Sequence, residues 1–196
     1  MPVKRTPPET AQSLARPAWL RAGTTIGFSV FSIVWHGNAW FADLWDGNDL
    51  MVARIAVAAF FVLTASMVWE YVKQEGVPEV LRGSLALGAA AWLLTGVLVI
   101  FMTTTTGVAL AAGAGFLILG LAELFGGLRT RNEFVPSRDH ALLGAIGALT
   151  GLLMIAWWGL DIHGVIGIAG MGMILSSVLL AIGAAGLTHD AKRAAA

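Results

Sequence analysis

From the N-terminus onward, long apolar runs alternate with short polar breaks. Six runs approach the roughly 20 mainly apolar residues that a membrane-crossing helix needs: 22–40, 51–71, 83–102, 107–128, 141–160 and 164–187. The first is the weakest, being interrupted by Thr24, Thr25, Ser29, Ser32 and His36. The breaks are short, so consecutive helices are expected to be antiparallel neighbours. The expected fold is all-α, a polytopic membrane protein of six transmembrane helices.

The polar lead, residues 1–21, carries Pro2, Pro7, Pro8 and Pro17. Residues 1–10 read as disordered, and 11–20 as a short interfacial segment anchored by Leu14 and Trp19 and limited by Pro17. No small-residue cleavage site follows the first apolar run before the acidic stretch, so an uncleaved span is expected. The organisation is then a polar N-terminal segment (1–21), a membrane domain (22–188) and a tail (189–196).

Composition agrees with the pattern. Of 196 residues, 57% are hydrophobic and 12% charged, against about 25% charged in soluble domains, and the mean hydropathy is +0.78. Nucleic-acid binding and a disordered chain are excluded. Twelve basic residues balance twelve acidic ones, but their positions are not balanced. Eleven of the twelve Lys and Arg fall in the N-terminal segment, the second and fourth breaks and the tail; Arg54 is the exception. Asp43, Asp46, Asp49 and Asp161 fall on the other side. Lys and Arg mark cytoplasmic loops, so both termini are expected in the cytoplasm. Trp35, Trp40, Trp45, Trp157 and Trp158 would lie at the outer boundary and Trp19 and Trp69 at the inner one. Trp92 falls near mid-span and is expected to pack between helices or face lipid.

The runs also echo one another. LLTGVLVI at 93–100 resembles ALTGLLMI at 148–155, an offset of 55. Gly107-Val108 matches Gly164-Val165, and AGAGF at 112–116 matches AGMGM at 169–173, both offset by 57. Repeats constrain a whole fold. The pattern predicts hairpins at about 83–128 and 141–188, with a diverged third at 22–72 in which FFVL (60–63) sits where FLIL (116–119) does. Parallel hairpins of this kind differ from the inverted repeats of many transporters.

Small residues recur at four-residue spacing: Gly23 and Gly27; Gly107, Ala111 and Gly115; Gly147 and Gly151; Gly172 and Ser176. Such stripes let backbones approach closely. They serve either packing within the chain or a homo-oligomer or partner seam.

A family resemblance follows from these residues. Gly-Ala-Leu-Thr-Gly-Leu-Leu-Met-Ile (147–155) followed by Gly-Val-Ile-Gly-Ile-Ala-Gly-Met-Gly-Met-Ile-Leu (164–175) resembles the HdeD-like acid-resistance membrane proteins, built from short repeats. The likeness covers roughly 83–188 and, more loosely, 22–72. The acidic, Trp-rich stretch at 40–49 is outside the family pattern. The resemblance implies a bacterial inner-membrane protein linked to acid or envelope stress, and it brings no catalytic motif.

Candidate chemistry is sparse. Glu123 is the one carboxylate well inside an apolar run, about 9 Å along a helix from Arg129. An intramembrane carboxylate points to proton or ion handling; at this depth it can also reach headgroups or a loop arginine. His36, Asp161 and His163 lie on the outer side and, since imidazole titrates near neutrality, form a candidate pH-sensing cluster; the alternative is a solvated acidic loop beside a turn histidine. Arg54 is expected to pair with Asp46 or Asp49. At the fifth helix, Ser137 is expected to cap and Asp139 to face the positive helix end, making His140 structural. Cysteine is absent, and the spacings match no metal, phosphate-loop or nucleophile motif. No enzyme activity, metal or cofactor is expected. The partners are the lipid bilayer and a second copy or another membrane protein. The function expected is non-enzymatic; the alternatives are a small-solute or ion permease or channel, or an accessory subunit.

Overall fold

The computed structural model describes residues 6–35 and 48–193. These form six helices: α1 Pro8–Val34, α2 Asp49–Val72, α3 Glu79–Ile100, α4 Thr105–Thr130, α5 Ser137–Ala156 and α6 Ile162–Lys192. There is no strand among the described residues. Five helices, α2 to α6, are long and apolar enough to cross a membrane. Helix α1 is not one of them, because hydroxyls and charges dilute its apolar content.

Helix α1 departs most from expectation. It starts at Pro8 rather than near residue 22, absorbing the expected interfacial segment, and Pro17 lies inside it. Proline at the first helical position costs no hydrogen bond, which lets the helix begin at Pro8. Its polar residues satisfy themselves. The hydroxyls of Thr25, Ser29 and Ser32 donate to the carbonyls of Arg21, Thr25 and Ser29 at 2.8–2.9 Å. All three face the core, whereas Ile26, Val30, Ile33 and Val34 are exposed. The helix is polar inward and apolar outward, the reverse of a helix on a soluble domain.

The starts of the helices follow two patterns. Helices α1, α3 and α5 each begin behind a proline: Pro7, Pro78 and Pro136. Helices α2, α4 and α6 each begin at a side-chain cap, where Asn48, Thr104 and Asp161 accept the amides of Met51, Gly107 and Gly164 at 3.1, 3.1 and 2.7 Å. Such a cap satisfies an amide that the helix leaves unpaired. Ser137 does not cap α5 as expected: its hydroxyl is buried 2.6 Å from that of Thr130, closing the α4–α5 turn. Arg82 closes the α2–α3 turn by donating to the carbonyls of Gln74, Glu75 and Val77 at 3.1–3.3 Å.

Each helix packs on its neighbours in the chain, and α1 packs closely on α6, so the six make a closed ring. Across the centre, α2, α4 and α6 touch one another. The middle is filled with aromatic rings. Phe61 stacks on Trp92 at 4.6 Å, Phe116 meets both edge-on, and Phe60 stacks on Phe28 at 4.5 Å. Trp92 lies between helices, its indole N–H donating to the Gly115 carbonyl at 2.7 Å. The outer surface is aliphatic, with Leu87, Leu94, Leu149, Val178 and Ile182 exposed.

The closest seam joins α4 to α5, and it is lined with glycine. A methyl on Gly127 would lie 2.5 Å from the Ala141 amide, and one on Gly151 would lie 2.5 Å from the Gly113 carbonyl. Gly120 and Gly144 likewise abut the opposite backbone. On α4 these glycines repeat every seven residues, a coiled-coil spacing. Of the stripe residues expected from the sequence, Gly147 and Gly151 belong to this seam. Gly115 packs on Thr95 and Phe61, and Gly172 on Thr150, all within the chain; Ser176 is buried. The atoms nearest a methyl on Gly107 belong to Met102 and Thr104 in its own turn, and Ala111 is partly buried. Gly23 and Gly27 face open space.

Candidate functional site

Glu123 is fully enclosed on the inner side of α4. It pairs with Arg21 of α1, not with the headgroup zone or a loop arginine. The guanidinium forks onto the carboxylate, Nη1 to Oε1 at 2.5 Å and Nη2 to Oε2 at 3.0 Å. Two parallel charge-assisted bonds fix both planes. His140 of α5 completes the group, its Nδ1 3.2 Å from Glu123 Oε1. An ionised carboxylate carries no proton, so the imidazole donates. Three helices thus meet at one carboxylate. The side chains of Arg21, Glu123 and His140 are only 11%, 3% and 8% exposed.

Tyr71 of α2 adds a fourth element, with its ring edge-on to His140 at 5.1 Å. Tyr71 is buried, and its hydroxyl has no hydrogen-bond partner among the described residues. Arg21 Nε is also without one.

Two cavities flank this group. A chamber of about 260 Å³ lies between α1, α2, α5 and α6, with Thr6, Arg21, Tyr71, Asp139, His140 and Asp190 as its polar lining and Met67, Val68, Leu143, Leu180 and Leu187 among its apolar walls. On the other side of Arg21 and Glu123 lies a space of about 20 Å³, touched by Thr25, Thr64 and Ser176 and floored by Phe60, Trp92 and Phe116. The charged group therefore stands between an open chamber and an aromatic block.

Other expectations meet different outcomes. His163 lies at the far end of the bundle, its Nε2 3.2 Å from Asp49 Oδ2 and its ring stacked on Trp35 at 4.4 Å. Asp161 is not in that group; its carboxylate caps α6. His36, Asp43, Asp46, Trp40 and Trp45 lie outside the described residues. Arg54 does not pair with Asp49: its Nη1 donates to the Met102 carbonyl at 2.8 Å, because the α3–α4 turn lies closer than any carboxylate of its own helix. Among the described residues, no three His, Asp or Glu side chains converge to hold a metal ion.

Sequence reasoning singles out Glu123 and misses its partners. Arg21 reads as a loop cation and His140 as a helix-start residue. The available signal was periodicity: Arg21, Thr25, Ser29 and Ser32 share one helical face. Compared with family models, curated proteins and solved structures, the chain matches none.

Proposed function

We propose that this is a non-enzymatic integral membrane protein of the bacterial inner membrane that serves acid or envelope stress, with the Arg21–Glu123–His140 group as its working centre. The observation carrying this reading is that buried group. Ionisable side chains are costly inside a bilayer and are kept there for function. His140, bonded to the carboxylate and lining a chamber, brings a third polar group to the same buried centre. The stress role itself rests on the resemblance to the HdeD-like proteins.

In this reading all six helices cross the membrane, α1 presenting its aliphatic face to lipid, and both termini are cytoplasmic. Three parallel hairpins are supported by recurring local chemistry. Gly115 packs on Thr95 and Gly172 on Thr150, and these pairs match in the internal repeat. Proline starts and side-chain caps alternate along the chain. Only one hairpin carries a charge at the central position: Met67 and Leu180, which align with Glu123, line the chamber beside it. The aromatic block beyond Glu123 favours this reading over an open channel.

The test is survival at low pH of a deletion strain. Wild-type protein should restore survival. The double variant Arg21→Gln, Glu123→Gln, which removes both charges and keeps polar side chains, should not, at matched membrane levels. Full rescue by the double variant would remove the charged group from the function.

A further inference from the structure

We infer that the chamber between α1, α2, α5 and α6 binds a short aliphatic diamine, its two ammonium groups donating to Asp139 and Asp190 and its methylenes lying along the apolar walls. The proposal names a ligand beside the centre described above, so it rests on that centre but not on a stress role.

The accessible polar atoms select the charge. Tyr71 Oη and Arg21 Nε are sealed from contact, and both Arg21 Nη atoms are engaged by Glu123. His140 also lines the chamber. Its Nδ1 donates to Glu123, so in the neutral ring Nε2 is an acceptor. That nitrogen makes no hydrogen bond among the described residues and, unlike Tyr71 Oη, keeps contact surface. Thr6 is a second such group. It is 5% exposed and lines the chamber, and its hydroxyl has no partner among the described residues. Asp139 and Asp190 add two carboxylates. With Arg21 matched by Glu123, these two face at most one imidazolium, so the lining is negative in either state of His140. No lysine and no second arginine belongs to the lining among the described residues. An anion is repelled, and a neutral carbonyl compound leaves both carboxylates without a donor. A cation carrying N–H groups satisfies them with charge-assisted bonds.

Spacing selects the number of amino groups. A methyl on Gly183 of α6 would lie 3.3 Å from Asp139 Oδ2, so this carboxylate of α5 rests against α6 at that level. Asp190 is seven residues further on, two turns along the same face, or about 10 Å. A single ammonium bridges acceptors only about 6 Å apart, whereas two amino groups joined by a few methylenes reach both levels. Among the described residues no three His, Asp or Glu side chains converge on one point, so these acceptors do not enclose a bare metal ion. The wall beside them includes Leu143, Leu180 and Leu187, which suits a methylene chain. The exposed members of the lining, Asp139 on α5 and Ile182 and Gly186 on α6, place the mouth between those two helices. A volume of about 260 Å³ is just below the roughly 300–1,000 Å³ of drug-sized sites, as a small ligand requires.

The test uses the full chain purified in an uncharged detergent, titrated with 1,5-diaminopentane at neutral pH and fixed ionic strength, and read by calorimetry and native mass spectrometry. Hexylamine, 1-hexanol and hexanoate serve as comparators. One diamine should bind per chain, about tenfold more tightly than hexylamine, and the alcohol and the acid should not saturate. Asp139→Asn and Asp190→Asn should each weaken the diamine about tenfold, since each removes one charge-assisted bond. Glu133→Gln, at an exposed position of the α4–α5 turn outside the chamber, should bind like wild type. The proposal is overturned if the diamine does not saturate, if any comparator binds as tightly, if either aspartate variant binds like wild type, or if Glu133→Gln weakens binding as much as they do. Binding is read in the purified protein and acid survival in cells, so either reading can fail without the other.

Discussion

Arg21 and Glu123 show how a single residue's role depends on what lies far from it in sequence. Glu123 stands out in the sequence because nothing else ionisable interrupts its apolar run. Arg21 does not stand out, since it follows a polar, proline-rich segment and has the look of a topogenic loop cation. The structure buries it at 9% exposure against a carboxylate 102 residues away. No local pattern encodes that distance. Trp92 illustrates the same divide. Its mid-span position is legible, but its partner, the Gly115 carbonyl, is a backbone atom that side-chain patterns do not reveal. Asp161 is the opposite case. An aspartate just before an apolar run is a helix-start signal in the sequence, and the structure uses it as a cap rather than in a cluster with His163.

At the scale of elements, the lengths of the apolar runs locate α2 to α6 within a few residues, because lipid on one side and packing on the other leave long apolar runs. It misplaces the start of α1, where a proline-rich lead resembles a linker and the polar residues turn inward. The glycines divide by environment. Gly120 abuts the backbone of Ala148, whereas Gly27 has open space around it. Gly120→Ala should push α4 from α5 and lower stability by about 1–3 kcal/mol. Gly27→Ala should be neutral or raise it by about 0.5–1 kcal/mol, since glycine is a poor helix former. Thermal unfolding in detergent, followed by circular dichroism, separates the two. Equal effects would mean that the α4–α5 seam is looser than described.

At the scale of the whole molecule, two features fix the arrangement: the ring of helices and its charged tie. The orientation proposed from the basic residues has its own check, and the absence of cysteine makes it simple. A single cysteine replacing Trp158, exposed at the end of α5, should react with a membrane-impermeant maleimide on intact cells. One replacing Glu133, in the α4–α5 turn, should react only after the cells are opened. The reverse pattern would invert the topology. The ring closes where α1 meets α6, and Trp19 of α1 there donates to the Thr188 hydroxyl at 3.0 Å. The tie from Arg21 to Glu123 joins α1 to α4 across the same end. The most direct test of this tie is a double-mutant cycle on Arg21→Gln and Glu123→Gln, read as the free energy of unfolding of the purified protein. Each single variant leaves a buried charge uncompensated and should cost about 3–5 kcal/mol, while the double variant should cost less than either single one. Costs that simply add would contradict a buried pair joining the first helix to the fourth.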